Sequence, residues 1–197
     1  MFKDPILQKL YKTYGPHVFE DKSDRLMEEL IEAIINQQLS GKAADTIYSR
    51  FLQLFKCKQF PTPEQILKID VEKLRGAGMS YSKAAYIKNI AQAFKDKNLD
   101  TKILRKMSDD EVAIELTKIK GVGKWTAEMI LIFTLNRTDV FSLGDAGLRR
   151  AIKNLYGITD EKKILELSET WKPNRSFACW YLWRSLNNGW QKSALGL

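Results

Sequence analysis

The sequence predicts an all-α protein of about ten helices. Apolar residues recur at i, i+3 and i+4 along most of the chain, capping residues stand at the starts of those stretches, and no alternating strand pattern of useful length occurs. From Ser23 to Leu39, the residues Leu26, Met27, Leu30, Ile31, Ile34, Ile35 and Leu39 form one apolar stripe. Ser40 reads as the N-cap of a second helix carrying Ala43, Ala44, Ile47, Phe51 and Leu54. Pro61 and Pro63 break the chain, and Pro63 suits the first turn of a short helix ending near Ile69. Asp70 caps another short helix that stops at Gly76-Ala77-Gly78, and Ser80 starts a helix running to about Phe94. Ser108 with Glu111 three residues on is a capping box. Gly121 and Gly123 interrupt the pattern, which resumes near Lys124 and runs to Leu135. Asp145 precedes the helix AGLRRAIKNLY, and two more follow, near Glu161 to Glu169 and Arg175 to Leu186.

A length of 197 residues fits one domain or two small subdomains sharing a core. No linker divides the chain cleanly. Asn136-Arg137-Thr138-Asp139 is the best junction. The expected arrangement is two packed helical subdomains, residues 24–135 and residues 1–23 plus 136–197. A cleft between such halves is a natural ligand site. A first helix is expected to pack back against the C-terminal half.

The hydrophobic fraction of 44% and charged fraction of 28% are those of a globular protein and exclude a disordered chain. The longest strongly apolar run, Met129 to Leu135, is far below the ~20 residues of a membrane span. The charged N-terminus, MFKDPILQKLYKTYG, does not read as a secretory signal. Cys57 and Cys179 cannot build a disulfide framework or ligate an iron–sulfur cluster. With His17 as the one histidine, a His-rich zinc site is excluded, and Ser-His or Cys-His catalysis would rest on that residue alone. A cytosolic, metal-poor protein remains, and its net charge of +8 suits a nucleic-acid partner.

Ile119-Lys120-Gly121-Val122-Gly123-Lys124-Trp125-Thr126 joins two helices by a short turn. Two glycines one residue apart permit positive φ and a close approach of the backbone to another molecule. The helix that follows presents free N–H groups and a positive dipole end, where a phosphate could sit with Lys124 adding charge. Such contacts hold a DNA backbone without reading sequence. The same residues also describe a plain helix-turn-helix with a glycine C-cap. No strand precedes the glycines, so this is not a dinucleotide fingerprint.

KIKGVGKWTAEMI, followed about twenty residues on by DVFSLGDAGLRRAI, resembles the helix–hairpin–helix DNA glycosylases. AIINQQLSGKAADTI resembles that family's early helix and DNA-probing loop, and LRGAGMSYSKAAYIKNIA the segment before its hairpin. WKPNRSFACWYLWRSLNNGW is similar to the C-terminal segment of the alkyladenine branch, 3-methyladenine DNA glycosylase II. The resemblance implies a helix–hairpin–helix fold and hydrolysis of the N-glycosidic bond of alkylated purines, chiefly 3-methyladenine and 7-methylguanine, extruded from duplex DNA. It implies a cytoplasmic monomer, nucleoid-associated or nuclear by organism, with no redox cofactor and no separate N-terminal domain.

It also places residues. Asp145 takes the position of the essential Asp, and Asp139 a position that reads as structural support. On sequence position alone the favoured reading of Asp145 is a helix cap. Trp125 and Trp183 match pocket tryptophans, whose electron-rich faces attract a cationic alkylated purine. Met129 departs from the aromatic found there in some relatives. Gln38 matches the intercalating position, with Leu39 as part of the wedge or as core. Gly121, Gly123, Lys124 and Thr126 are the candidates for DNA backbone contact. Arg149, Arg150 and Lys153 form a basic helix face. The family's hairpin often holds an alkali cation, Na⁺ or K⁺, on main-chain carbonyls, here those of Thr117, Ile119 and Val122. Relatives that also cut the strand carry a nucleophilic Lys in the slot of Trp125, so the expectation is a monofunctional enzyme. The rival readings are a glycosylase/lyase for oxidised purines and a non-enzymatic DNA-binding module. Trp171, Trp180 and Trp190 read as core.

Overall fold

Helix starts along this chain are set mostly by short acidic and hydroxyl side chains that accept from exposed backbone amides. The structure, a computed structural model, describes residues 2–37, 39, 41–55, 59–96 and 99–187. Among these residues there are twelve α-helices and no strand. Asp4 accepts from the Leu7 amide at 2.9 Å, and Pro5 fills the first turn of α1 (Pro5–Tyr14). A 3-10 turn, Ser23–Arg25, leads into α2 (Leu26–Asn36), so the stripe read from Ser23 to Leu39 is α-helical only in its middle. α3 (Gly41–Gln53) follows, and its expected cap, Ser40, lies outside the described residues.

Thr62 and Gln65 form a capping box on α4 (Pro63–Lys68). Asp70 caps α5 (Val71–Gly76), Ser80 caps α6 (Tyr81–Lys95) and Asp100 caps α7 (Thr101–Leu104). Ser108 and Glu111 close the expected box before α8 (Asp109–Thr117). α9 (Lys124–Phe133) starts at Gly123 with no side-chain cap. Asp145 caps α10 (Ala146–Tyr156), and left-handed Gly157, with φ 72°, ends it. Asp160 caps α11 (Glu161–Glu169), and α12 (Arg175–Asn187) closes the series. α7 is the element the residue pattern leaves out, because four residues are too few to show a helical period. No described helix is long and apolar enough to cross a membrane.

The chain divides into two compact units, Asp21–Leu135 and a second made of Met1–Glu20 with Asn136–Leu197. The first begins at Asp21, ahead of the expected Asp24. In it, α2 is central. Its buried face of Leu26, Leu30, Ile31, Ile34 and Ile35 meets α3, α6 and α9. α6 also carries α4 and α5, and α8 packs on α9.

In the other unit, α1 lies against α12, and α10 against α12. Ile6, Leu7 and Leu10 of α1 join Leu148, Ile152 and Leu155 of α10 around Trp171 and Leu182. Each such aliphatic side chain contributes about 1.5–3 kcal/mol by burial. Trp171 is 1% exposed, and its Nε1–H donates to Asp4 at 3.3 Å. The Tyr156 hydroxyl donates to the same carboxylate at 3.0 Å. Burial, then the Asp4 charge, pushes the Tyr156 phenol far above its usual range. Asp4 thus caps α1 and satisfies two core polar groups at once.

Asp4→Ala removes the cap and strips an acceptor from both rings, so the expected loss is about 2–4 kcal/mol. Urea unfolding followed by tryptophan fluorescence measures it. A loss below about 1 kcal/mol would mean that Asp4 acts as a cap alone.

Candidate active site

In the unit built from α1, α10, α11 and α12, the loop ahead of α10 presents Asp145. Its Oδ1 accepts from the Leu148 amide at 2.6 Å, which is the N-cap contact. The same oxygen accepts from the Trp183 indole Nε1–H at 2.8 Å. Both side chains are half-buried. The carboxylate is therefore held by its own helix and by a ring from α12.

The loop itself is fixed one step earlier. Arg175 Nε donates to Asp139 Oδ1 at 2.9 Å and its Nη2 to Oδ2 at 3.0 Å, a two-pronged pair. Nη2 also donates to the Asp139 carbonyl at 2.8 Å. The Ser176 hydroxyl donates to the Arg137 carbonyl at 2.6 Å and accepts from the Val140 amide at 3.0 Å. Asp139 is thus tied into the start of α12, the structural support its position suggests.

In the other unit, the hairpin between α8 and α9 rests on α6. Gly121 has φ 109°, and a Cβ there would sit 2.2 Å from Cγ of Tyr86. Asn89 Nδ2 donates to the Lys120 carbonyl at 3.0 Å. Gly123 has open space where a Cβ would go. The first turn of α9 holds no acidic residue and carries Lys124, whose side chain is 85% exposed. That placement opposes the helix dipole, which favours anions at this end. A partly open helix start with a lysine and no carboxylate in its first turn is suited to an external anion. α8, by contrast, starts with Asp109, Asp110 and Glu111.

The end of α2 is held to the same frame. Lys83 of α6 donates to the Ile35 carbonyl at 2.8 Å and the Gln37 carbonyl at 2.7 Å. Burial pushes the Lys83 ammonium below its ordinary value. Gln37 Nε2 donates to Thr126 Oγ1 at 3.0 Å. Thr126 is 1% exposed as a whole residue, and its hydroxyl is occupied by Gln37. Leu39 is 39% exposed and is not a core residue. Gln38 lies outside the described residues. Trp125 and Met129 are half-buried one turn apart on α9.

The model of the HhH-GPD superfamily of base excision DNA repair proteins matches residues 31–174. This chain belongs to that superfamily. It is 40% identical over 91% of its length to a DNA-3-methyladenine glycosylase of Schizosaccharomyces pombe, 80% of which is covered. An alkylbase DNA glycosidase-like protein of the same organism is 38% identical, with 89% of this chain and 85% of that one covered. A solved S. pombe 3-methyladenine DNA glycosylase in complex with abasic DNA superposes with a TM-score of 0.85 at 36% identity, covering 94% and 93% of the two chains.

Within this HhH-GPD chain the structure joins Asp145 to Trp183 in one unit. In the other it joins the hairpin to the end of α2. Arg149 is paired with Glu161 at 2.7 Å, while Arg150 and Lys153 are exposed. Trp171 is core as expected, Trp180 stacks on His17 with centroids 3.9 Å apart, and Trp190 lies outside the described residues. Sequence reasoning missed Lys83, Tyr86, Asn89 and Arg175. The first three recur every three residues along α6 inside a segment already singled out, and that spacing was the available signal.

Gly121→Ala is expected to cost at least about 2 kcal/mol, because the residue combines positive φ with contact against the Tyr86 ring. Thermal unfolding checks this. Tyr86→Ala in the same chain should recover part of the loss by opening the space.

Proposed function

We infer that this chain is a base excision repair glycosylase acting on double-stranded DNA. It takes alkylated purines of the 3-methyladenine and 7-methylguanine type out of the duplex and hydrolyses their N-glycosidic bond. The observation that carries this is the Asp145 carboxylate, held at a helix start by two N–H donors and flanked by an indole.

The chemistry follows from charge. Alkylation at N3 or N7 makes the purine cationic, so its bond to C1′ is already weakened. As that bond breaks, its electron pair leaves with the base, which departs neutral, and positive charge develops on the sugar. A fixed carboxylate nearby stabilises that charge, an effect plausibly of several kcal/mol in a dry site. Water then bonds to C1′ and gives up one proton, which the carboxylate can accept.

The remaining assignments belong to the same proposal. Trp125, Met129 and Trp183 are assigned to the extruded base, with cation–π attraction of about 0.5–2 kcal/mol per indole ring. Leu39 and Gln38 are assigned to the gap left in the stack. Gly121, Gly123 and Lys124, with the backbone amide of Thr126, are assigned to the phosphate backbone. Lys124 stands one position before the slot of a strand-cleaving lysine, which Trp125 fills, so that slot offers no amine for a covalent sugar adduct.

The carbonyls of Thr117 and Ile119, at and just past the end of α8, and of Val122 are neutral oxygens of the kind a hard monovalent cation takes. Ile119 O already accepts from the Val122 amide at 2.9 Å and keeps a second lone pair. This donor set fits Na⁺ or K⁺ in a structural role and supplies nothing to the bond-breaking step. The protein is proposed to act as a monomer.

Asp145→Asn is the decisive variant. Asparagine is as good an N-cap and can still accept from Leu148 and Trp183, so the change removes charge and little else. Release of 3-methyladenine and 7-methylguanine from dimethyl-sulfate-treated duplex should fall at least a hundredfold, with duplex affinity kept. Wild-type release would remove the assignment. Borohydride should trap no enzyme–DNA adduct, and strong trapping would overturn the monofunctional reading.

Gly123→Ala separates fold from grip. Its Cβ meets none of the described residues, so stability should change by less than about 1 kcal/mol while duplex affinity falls several-fold. Unchanged affinity in a titration at fixed salt would take the hairpin out of the DNA contact.

A further inference from the structure

Asp145 and Trp183 lie 38 residues apart in the chain and meet through one hydrogen bond, indole Nε1–H to carboxylate Oδ1. We propose that Trp183 is a positioning residue for Asp145, its N–H fixing the orientation in which the carboxylate faces the reacting sugar. The proposal rests on the reading of Asp145 as the catalytic carboxylate.

The N-cap contact holds Oδ1 from its own helix, along the direction of the Leu148 amide. The indole N–H holds the same oxygen from α12, a second and different direction. Preorganisation of this kind matters because the stabilising charge must already be aimed when the oxocarbenium character develops.

Gly147 gives independent support. It sits in the first turn of α10, where glycine is less favourable than alanine, by up to about 1 kcal/mol in a helix interior. Its φ is not positive, so the backbone does not require glycine. The carboxylate leaves little room for more. A Cβ there would lie 3.1 Å from Asp145 Oδ1, closer than side chains ordinarily come, and 3.5 Å from Trp183 Cδ1, an ordinary contact. A methyl would press on the oxygen that receives the indole N–H.

Trp183 packs against the core only from its margin. Trp171 and Tyr181 occupy the interior at 1% and 2% exposure, whereas Trp183 is half-buried at its margin.

The test is single-turnover release of methylated purines from a dimethyl-sulfate-treated duplex, beside affinity for a duplex carrying a tetrahydrofuran abasic-site analogue. Trp183→Phe keeps an aromatic face and loses the N–H. The expected result is a rate reduced about ten- to a hundredfold, with affinity changed less than about threefold. Gly147→Ala retains both partners and crowds the carboxylate oxygen they share, and should lower the rate in the same direction. It decides the matter should the phenylalanine variant not fold. A wild-type rate in both variants overturns the proposal, as does an affinity loss equal to the rate loss. Asp145→Asn, run alongside, separates the two claims. If it releases base at the wild-type rate, the reading of Asp145 has failed. If it is inactive while Trp183→Phe and Gly147→Ala are fully active, only the positioning role has failed.

Discussion

One oxygen, Asp145 Oδ1, accepts both the amide that starts α10 and the indole N–H that reaches across from α12. The first contact belongs to folding, since it satisfies a helix-end donor that would otherwise face water or nothing. The second belongs to orientation. Around them the loop is pinned by the Asp139–Arg175 pair and by Ser176, so that α12 holds the loop at its beginning and its end. The helix that completes the core through Ala178, Tyr181 and Leu182 thereby also sets the carboxylate. Stability and chemistry here share one element, and a disturbance of α12 reaches both.

The unit centred on α2 uses one face of α6 in a comparable way. Lys83, Tyr86 and Asn89 stand at successive turns and meet, in order, the end of α2, Gly121 and the Lys120 carbonyl. The partly desolvated ammonium of Lys83 is kept where two helix-end carbonyls need donors, which offsets part of its burial cost. Gln37 closes the arrangement through Thr126. The end of α2 and the start of α9 are thus a single braced piece, although they are distant in sequence.

Local features were legible in the sequence, and distant pairings were not. Asp70, Ser80, the Ser108–Glu111 box and Asp145 all cap the helices that their positions announce, because a cap is a contact within three residues. The apolar spacing placed the long helices but ran past the true ends of α2, whose last turn gives way at Gln37 where Lys83 takes over its carbonyls. Thr126 shows the limit most clearly. Its position at a helix start suggested exposure, and only the fold brings Gln37 onto it. Likewise nothing local in the residues around Trp183 signals that its N–H faces Asp145, since a tryptophan beside Tyr181 and Leu182 reads equally as core.

The glycines divide by the reason each is there. Gly157 ends α10 in the left-handed region, a conformational role. Gly121 combines positive φ with a ring pressed against its α-carbon, so conformation and space both require it. Gly147 and Gly123 have neither left-handed backbone nor a helix-ending role. At Gly147 the demand for space comes from inside the protein, from the Asp145 carboxylate. At Gly123 none of the described residues makes that demand. Gly123 stands at the cap of a helix whose first turn lacks an acid and exposes Lys124, and it leaves its side open. Space that the described residues do not fill, at the positive end of a helix, is the arrangement in which an external phosphate can come within reach of the backbone amides.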